Sequence, residues 1–560
     1  MPRIFDGVAG NRPRLNRFDL SYTNTTSMSI GLLYPVQCDE AYPGDVFKMS
    51  AFCHAEVMPM VAPVMSDIQL FAHTFFVPYR IIYGIDNEDG LSIWEKFITG
   101  GKDGDYETPL TPWVPNWSRV GFSSRTIWDQ IGNPVKLTVT GTGTELDPYV
   151  NTWTPLVPPS RVSGDLVHGT VYNGLDVSIA PKYSYNAIYN AFYRDENLVD
   201  EVDKDNEYLL HAAFRKDYFT SALEAQQRGT APALPVDLNG VVPVDFSGAT
   251  YSAIDSSIRG VGAAVEGQSV YDQDATGPLL KGINSANYSF ASYSVSGSVD
   301  SSNISATTFT VSDLRLAFAI QRMQELSERA GYRYTEWLAS HFNAHPTDAR
   351  LDRPEYIGGC VMNVSTSPVL QNSETGSTPQ GTKTGVGRVD SVQKIGNYRV
   401  LEHGLIMTLV SIRPKPIYQQ GINRQWLRQS RWDYYAPELA WISEIGIFNA
   451  ELYVDGLSGS GHDDDIFGYQ AAWNELRCKN NMVTGAVREQ FDYWTTSRKF
   501  NSRPALNQDF IEIDEKDFNK IFAVQDEDSF IVSWSNLIDC YRPIPSMGVP
   551  GLVDHVYGGM

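Results

Sequence analysis

Two strongly apolar, strand-like stretches that lie far apart in the chain most constrain its fold. Residues 67–78 are rich in β-branched and aromatic residues and end at Pro78. Residues 404–413 are apolar almost without interruption and end at Pro414, a pattern typical of a strand buried on both faces. Because strand-like stretches come from every part of the chain, we predict a mainly β protein. The expected architecture is one β-sandwich with long loop and helical insertions over residues 1–560.

Helical patterns interrupt these strands. Pro181 suits a first helical position, and the apolar residues after it recur on one helix face at Tyr185, Ile188, Tyr189 and Phe192. A second helix is predicted from Ser312, a favourable N-cap, to a stop at Gly331. A shorter third helix is predicted from Thr335 to Phe342.

Two segments differ from the rest of the chain. Residues 1–25 show no periodicity at their start and are predicted to form an extended N-terminal arm. Residues 236–308 are rich in Ser, Gly and Ala and contain only Arg259 and Lys281 as basic residues. Their scattered apolar residues favour a folded, loop-rich surface insertion, although a disordered linker is an open alternative.

Charge and cysteine content narrow the functional classes. The net charge of −22 repels nucleic acid overall, so any DNA contact must use local basic segments. The five cysteines are odd in number and lack zinc or thioredoxin spacing, which favours free thiols in a reducing compartment. The N-terminus lacks a signal-peptide pattern, and no apolar run reaches the length of a membrane span, so no membrane insertion is expected.

Catalytic signatures are missing from the sequence. It contains no GxSxG, P-loop, HExxH or dinucleotide-binding fingerprint, so no enzyme activity, metal site or cofactor is expected. The acidic run at residues 461–465 is interpreted as a solvated loop. A hidden pair of catalytic carboxylates among the 66 acidic residues keeps a glycosidase as an alternative.

One basic feature stands out in this acidic chain. Residues 403–432 contain no acidic residue, and arginines alternate there with tryptophans. This is a combination that binds single-stranded nucleic acid through phosphates and base faces. The alternative is that the arginines pair with distant acids and the tryptophans pack in the core. The candidate nucleic-acid-binding residues, which include three in the arm, are Arg12, Arg14, Arg17, Arg413, Lys415, Arg424, Trp426, Arg428 and Arg431.

Short motifs from the first twenty residues to the last ten resemble those of the Microviridae major capsid proteins, specifically the gokushovirus group. They occur in the expected order. The strongest block is Leu314–Gly359, which contains Arg333–Glu336, Asp348–Leu351 and Arg353–Gly359. Other motifs are Arg17–Ser21, Phe75–Pro78, Arg215–Leu223, Arg431–Tyr435 and Pro550–His555.

The resemblance implies a viral jelly roll of two antiparallel sheets. It also implies self-assembly, through pentameric precursors, into a T=1 icosahedral shell around a circular single-stranded DNA genome. A small basic DNA-binding phage protein would accompany the genome, and assembly would take place in the host bacterial cytoplasm. Residues 236–308 would form a threefold protrusion that meets a host surface receptor. A jelly-roll carbohydrate-binding protein is the alternative from another class.

Overall fold

The computed structural model of the chain describes fifteen ranges of residues. They are 15–84, 93–99, 117–119, 126–132, 138–140, 150–152, 176–229, 271–274, 277–280, 311–330, 339–340, 347–373, 380–456, 462–525 and 527–546. Arg12, Arg14, most of the insertion at 236–308 and most of the predicted helix Thr335–Phe342 lie outside these ranges.

The described residues are mainly strands. Numbered in chain order, the strands are β1 (Asn16–Asp19), β2 (Tyr22–Met28), β3 (Leu33–Ala41), β4 (Val46–Val57), β5 (Ile68–Pro78), β6 (Trp117–Arg119), β7 (Thr138–Thr140), β8 (Val150–Thr152), β9 (Asp176–Ser178), β10 (Tyr271–Asp274), β11 (Gly277–Leu280), β12 (Glu355–Asn363), β13 (Ser365–Leu370), β14 (Lys383–Arg399), β15 (Gly404–Pro414), β16 (Ile417–Tyr418), β17 (Glu444–Phe448), β18 (Ile466–Ala471), β19 (Asn481–Met482) and β20 (Phe530–Arg542).

Two antiparallel sheets form the body of the described chain. The larger sheet has six strands in the order β1–β20–β4–β14–β13, with β2 also paired to β20, and the smaller sheet has the order β12–β5–β15–β3. The remaining described strands form two-stranded pairs: β6–β9, β7–β8, β10–β11, β16–β19 and β17–β18. This arrangement confirms the predicted mainly β, jelly-roll sandwich with insertions.

The facing sides of the two sheets form the main core. In β4 and β20 every second side chain is buried, as expected for strands with one face toward a core and one toward solvent. Their inward residues pack against inward residues of the smaller sheet. This core includes Phe47, Met49, Cys53, Phe530, Val532, Trp534, Leu70, Phe76, Ile406 and Val410.

Strand β15 is buried on both faces, as the sequence predicts. Ile406 and Val410 face the main core, whereas Leu405, Met407 and Leu409 belong to a second apolar cluster on the opposite side of the sheet. Helix Ala180–Ile188 supplies that cluster with tyrosine and isoleucine side chains. The smaller sheet therefore lies between the larger sheet and a helical layer.

The described helices agree with the two longer predictions. Helix Ala180–Ile188 continues as a π-helical turn over Tyr189–Tyr193, and a twenty-residue helix spans Val311–Ala330. Shorter α-helices are Tyr79–Tyr83, Ile93–Thr99, Ile127–Gln130, Asn449–Leu452 and Gln508–Ile511. Among the described helices, none combines the length and hydropathy that a membrane crossing requires.

The described part of the N-terminal arm is extended and pairs with the larger sheet. Strands β1 and β2 both run antiparallel to β20, with Arg17 opposite Tyr541 and Thr25 opposite Ser533. Residues 16–25 are thus part of the sandwich, because β20 offers its free edge to them.

The chain divides into two compact units. One comprises residues 1–229 together with 324–560, and the other comprises residues 230–323. The first unit contains the sandwich, and the second contains the hairpin of β10 and β11. The single domain over residues 1–560 with a surface insertion at 236–308 stays a prediction.

All five cysteines are free thiols. Burial raises the pKa of Cys38 and Cys53 to about 12 and that of Cys360 and Cys540 to about 11, so these four thiols are poor nucleophiles at neutral pH. Burial also raises the pKa of Cys478, but its side chain is the exposed one of the five.

Candidate nucleic-acid interface

The acid-free segment continues from the end of β15 and is fixed by long-range contacts. Strand β16 pairs in parallel with β19, which joins the segment to residues 481–482. At Gly421 an added Cβ would lie 1.9 Å from the backbone oxygen of Glu451, so only glycine allows this approach. A 3₁₀ turn then spans Arg424–Trp426, and Asn423 caps it by accepting from the Gln425 backbone N–H at 3.2 Å.

Arg424 lies at the centre of a buried polar cluster. Its guanidinium donates to Glu451 Oε1 at 2.9 Å and to the Gly446 carbonyl at 2.8 Å. Glu451 also accepts from the Tyr218 hydroxyl at 2.9 Å. Burial raises the pKa of the Glu451 carboxyl, and the Arg424 charge opposes this increase. The pair positions the 3₁₀ turn, and its charge is already neutralised within the chain.

Arg428 has a similar structural position. Its guanidinium donates to Glu475 at 3.2 Å and lies over the Tyr434 ring, 5.4 Å from its centroid. Both members of this ion pair are largely buried. For Arg424 and Arg428 the alternative interpretation from the sequence, pairing with distant acids, describes the geometry that we observe.

Arg413 is largely buried on the helical side of the smaller sheet. Its guanidinium lies 5.1 Å from the Phe71 ring centroid, and its Nε donates to Ser411 at 2.7 Å. Burial lowers the pKa of Arg413, and it also lowers the pKa of the neighbouring His73 to about 4. The Arg413 side chain therefore stabilises packing around the sheet in this conformation.

The other described candidates are exposed. Trp426 is 74% exposed, and Trp432 is 62% exposed. The Arg431 guanidinium stacks over the Trp432 ring at 4.2 Å from its centroid, and the 3₁₀ turn Arg431–Asp433 that presents both is held by a Ser430 capping box. Cation and ring thus share one solvent-facing surface.

Arg17 and Lys415 each form an exposed ion pair. Arg17 contacts Asp539 at 2.6 Å, and Lys415 contacts Asp67 at 2.6 Å. Exposed pairs of this kind exchange readily with solvent and with other anions. Arg17 lies on β1, and Lys415 follows directly after β15.

Sequence reasoning did not find two basic residues, Lys479 and Arg488, that line the same cavity as Trp426. Lys479 and Arg488 are exposed and come from the segment that β19 brings beside β16. It also did not single out the exposed Trp441, whose side chain is 95% accessible. The basic residues at 477–488 were a weak signal, because the pairing that makes them neighbours spans more than sixty positions. No metal-binding group of three or more His, Cys, Asp or Glu residues occurs in the described part of the chain.

Comparison with known proteins identifies the family. A family model described as capsid protein (F protein) matches residues 7–149 and 165–552. Capsid protein VP1 of Chlamydia phage 1 is 30% identical over 99% of this chain and 98% of its own length. Capsid protein VP1 of Bdellovibrio phage phiMH2K is 30% identical over 89% of this chain and 87% of its own length. Capsid protein VP1 of Spiroplasma virus 4 is 27% identical over 98% of this chain and 97% of its own length.

These matches cover both sheets of the sandwich and the acid-free segment, and they agree with the motifs that resemble the Microviridae. A structural protein of the virion accounts for the antiparallel sandwich and its insertions. The chain therefore belongs to the capsid protein (F protein) family and is a structural major capsid protein.

Proposed function

We propose that this capsid protein is the repeated subunit of a T=1 icosahedral shell around a circular single-stranded DNA genome. Family membership and the sandwich architecture support this proposal. Free cysteines suit pentameric precursors and assembly in the reducing host cytoplasm. A small basic phage protein would supply the positive charge that a subunit of net charge −22 lacks. The role is structural, without catalysis, and family membership disfavours the carbohydrate-binding alternative.

The DNA contact proposed here centres on Arg431 and Trp432. Their stacked, exposed pair is the observation that carries this part of the proposal, since one group attracts a phosphate and the other offers a flat face to a base. The segment before them contains no acidic residue to repel DNA. Trp426 extends this surface. Arg413, Arg424 and Arg428 support it from within the fold, and Arg17 and Lys415 add exposed charge elsewhere.

The substitution Arg431→Gln tests this proposal. Loss of one phosphate contact is expected to weaken binding of a thymidine dodecamer and to reduce the slope of log K against log salt by about 0.7. Filter binding at several salt concentrations measures both values. The control is Arg388→Gln on β14, an exposed arginine of the larger sheet, which should leave the slope unchanged. Equal slopes for wild type and Arg431→Gln would contradict the contact.

We also propose that residues 236–308 form the outward protrusion that meets the host receptor. Replacement of residues 240–305 by a short Gly/Ser linker should leave the sandwich folded and able to assemble, because both sheets lie in the other unit. Host attachment should be lost. Electron microscopy of particles and an adsorption assay measure the two outcomes, and failure of the variant to fold would place the segment in the core.

A further inference from the structure

A cavity of about 540 Å³ lies beside Trp426. Its lining draws on two segments, the acid-free one with Tyr418, Arg424 and Trp426, and a later one with Cys478, Lys479 and Arg488. Its volume falls in the range of roughly 300–1,000 Å³ that is usual for small-molecule sites. Tyr218, Phe219 and the Arg424–Glu451 pair also line it. The lining thus combines a buried ion pair with the exposed indole of Trp426.

The rim of this cavity is basic. Lys479 and Arg488 are exposed, and neither forms an ion pair with any residue that the structure describes. The two acids of the lining, Glu451 and Glu475, are neutralised by Arg424 and Arg428. In a protein of net charge −22, this leaves a local excess of positive charge that favours an anionic ligand.

Polar groups with free hydrogen-bonding capacity complete the lining. The side-chain amides of Gln425 and Asn480 make no hydrogen bond to other residues within the described ranges. An amide offers both a donor and an acceptor, which is what the edge of a nucleobase requires. The Trp426 ring offers the stacking face. The lining therefore offers basic side chains to a phosphate, amides to the edge of a base, and the Trp426 ring to its face.

We propose that this cavity binds one nucleotide of single-stranded DNA, with its base against Trp426 and its phosphate between Lys479 and Arg488. This inference rests on the proposed function and adds a defined subsite to it. The binding would be tolerant of sequence, because stacking and phosphate contacts read no particular base. Arg431 and Trp432 would hold a neighbouring part of the same strand.

Cys478 gives a native reporter at the cavity wall. Burial raises the pKa of all five thiols, but Cys478 is the exposed one, so accessibility should make alkylation label Cys478 first. We expect a saturating thymidine dodecamer to slow Cys478 alkylation in the full-length protein about tenfold, as measured by mass spectrometry of the peptide that contains it.

Variants separate a ligand in the cavity from DNA bound nearby. Lys479→Gln combined with Arg488→Gln should abolish the protection of Cys478 and weaken dodecamer binding about tenfold. Trp426→Ala should weaken binding by a similar factor while the salt dependence stays unchanged. The matched control is Arg477→Gln, an exposed arginine two positions from Lys479 that does not line the cavity.

The outcomes distinguish this inference from the proposed function. If the dodecamer binds with the salt dependence assigned to Arg431 while Cys478 stays unprotected, the cavity does not hold a nucleotide and the proposed function stands. If the double variant retains full protection, the inference is wrong as well. If the protein binds no DNA, both fail. Protection by a hexose but not by the dodecamer would overturn the inference in favour of a sugar site.

Discussion

Replacement of Trp534 by alanine is expected to lower the free energy of unfolding by about 3–5 kcal/mol. Trp534 lies at the centre of β20 and is fully buried in the main core. Its Nε1 donates to Asn536 Oδ1 at 2.8 Å, and the Asn536 amide donates to the Val36 carbonyl at 3.1 Å. The substitution therefore removes a large buried ring and also weakens a polar link from one sheet to the other.

Urea unfolding of the unassembled subunit, followed by circular dichroism, measures this loss. The matched control is Ile531→Ala, because Ile531 is on the same strand but its side chain faces solvent and is 54% exposed. The Ile531→Ala variant should lower the free energy of unfolding by about 1 kcal/mol or less. Similar losses for the two variants would show that burial between the sheets does not set the stability of the subunit.

Replacement of Glu451 by alanine should destabilise the subunit by about 3–5 kcal/mol, because it leaves a buried charge without its partner. Arg424 would lose its carboxylate partner and retain the Gly446 carbonyl and the Phe448 ring, while the Tyr218 hydroxyl and the Phe448 backbone N–H would lose their acceptor. The 3₁₀ turn that carries Trp426 depends on this pair. The variant should therefore also lose order at the rim of the cavity.

A double-mutant cycle isolates the ion pair. Arg424→Met combined with Glu451→Leu should lose less stability than the sum of the losses from Arg424→Met alone and Glu451→Leu alone, because the double variant leaves no unpaired charge. The exposed ion pair of Lys415 and Asp67 serves as the control for the buried pair. Asp67→Asn should lower the free energy of unfolding by about 1 kcal/mol or less. Additive losses in the cycle would contradict the assigned coupling.

Local patterns predicted the strands that local composition determines. Strands β5 and β15 end at Pro78 and Pro414, as predicted, because apolar content and proline act within a few residues. The pairing of β1 and β2 was not predictable in this way. Their partner β20 lies more than 500 residues later, and a single sequence contains no local signal for that register.

The same limit applies to the candidate site. The acid-free window is visible in the sequence, but the acidic partners of Arg424 and Arg428 lie 27 and 47 positions further along. Because these acids are so far away in the sequence, the two ion pairs could not be predicted from the local pattern. Trp426, Arg431 and Trp432 instead proved to be exposed, because short capped turns hold them away from the core. The sequence could therefore identify the segment, whereas only the fold separates its supporting residues from its surface.

The position of β20 has a consequence for how the subunit is made. This strand lies between the N-terminal strands and β4, yet the ribosome synthesises it after every other strand of the sandwich. Until residues 530–542 emerge, the nascent chain exposes the edge of β4 and the apolar residues that would face Trp534. Such long-range closure is slow. Translation itself therefore delays completion of the sandwich, and the surface that shell assembly needs is finished only after this last strand has emerged and paired.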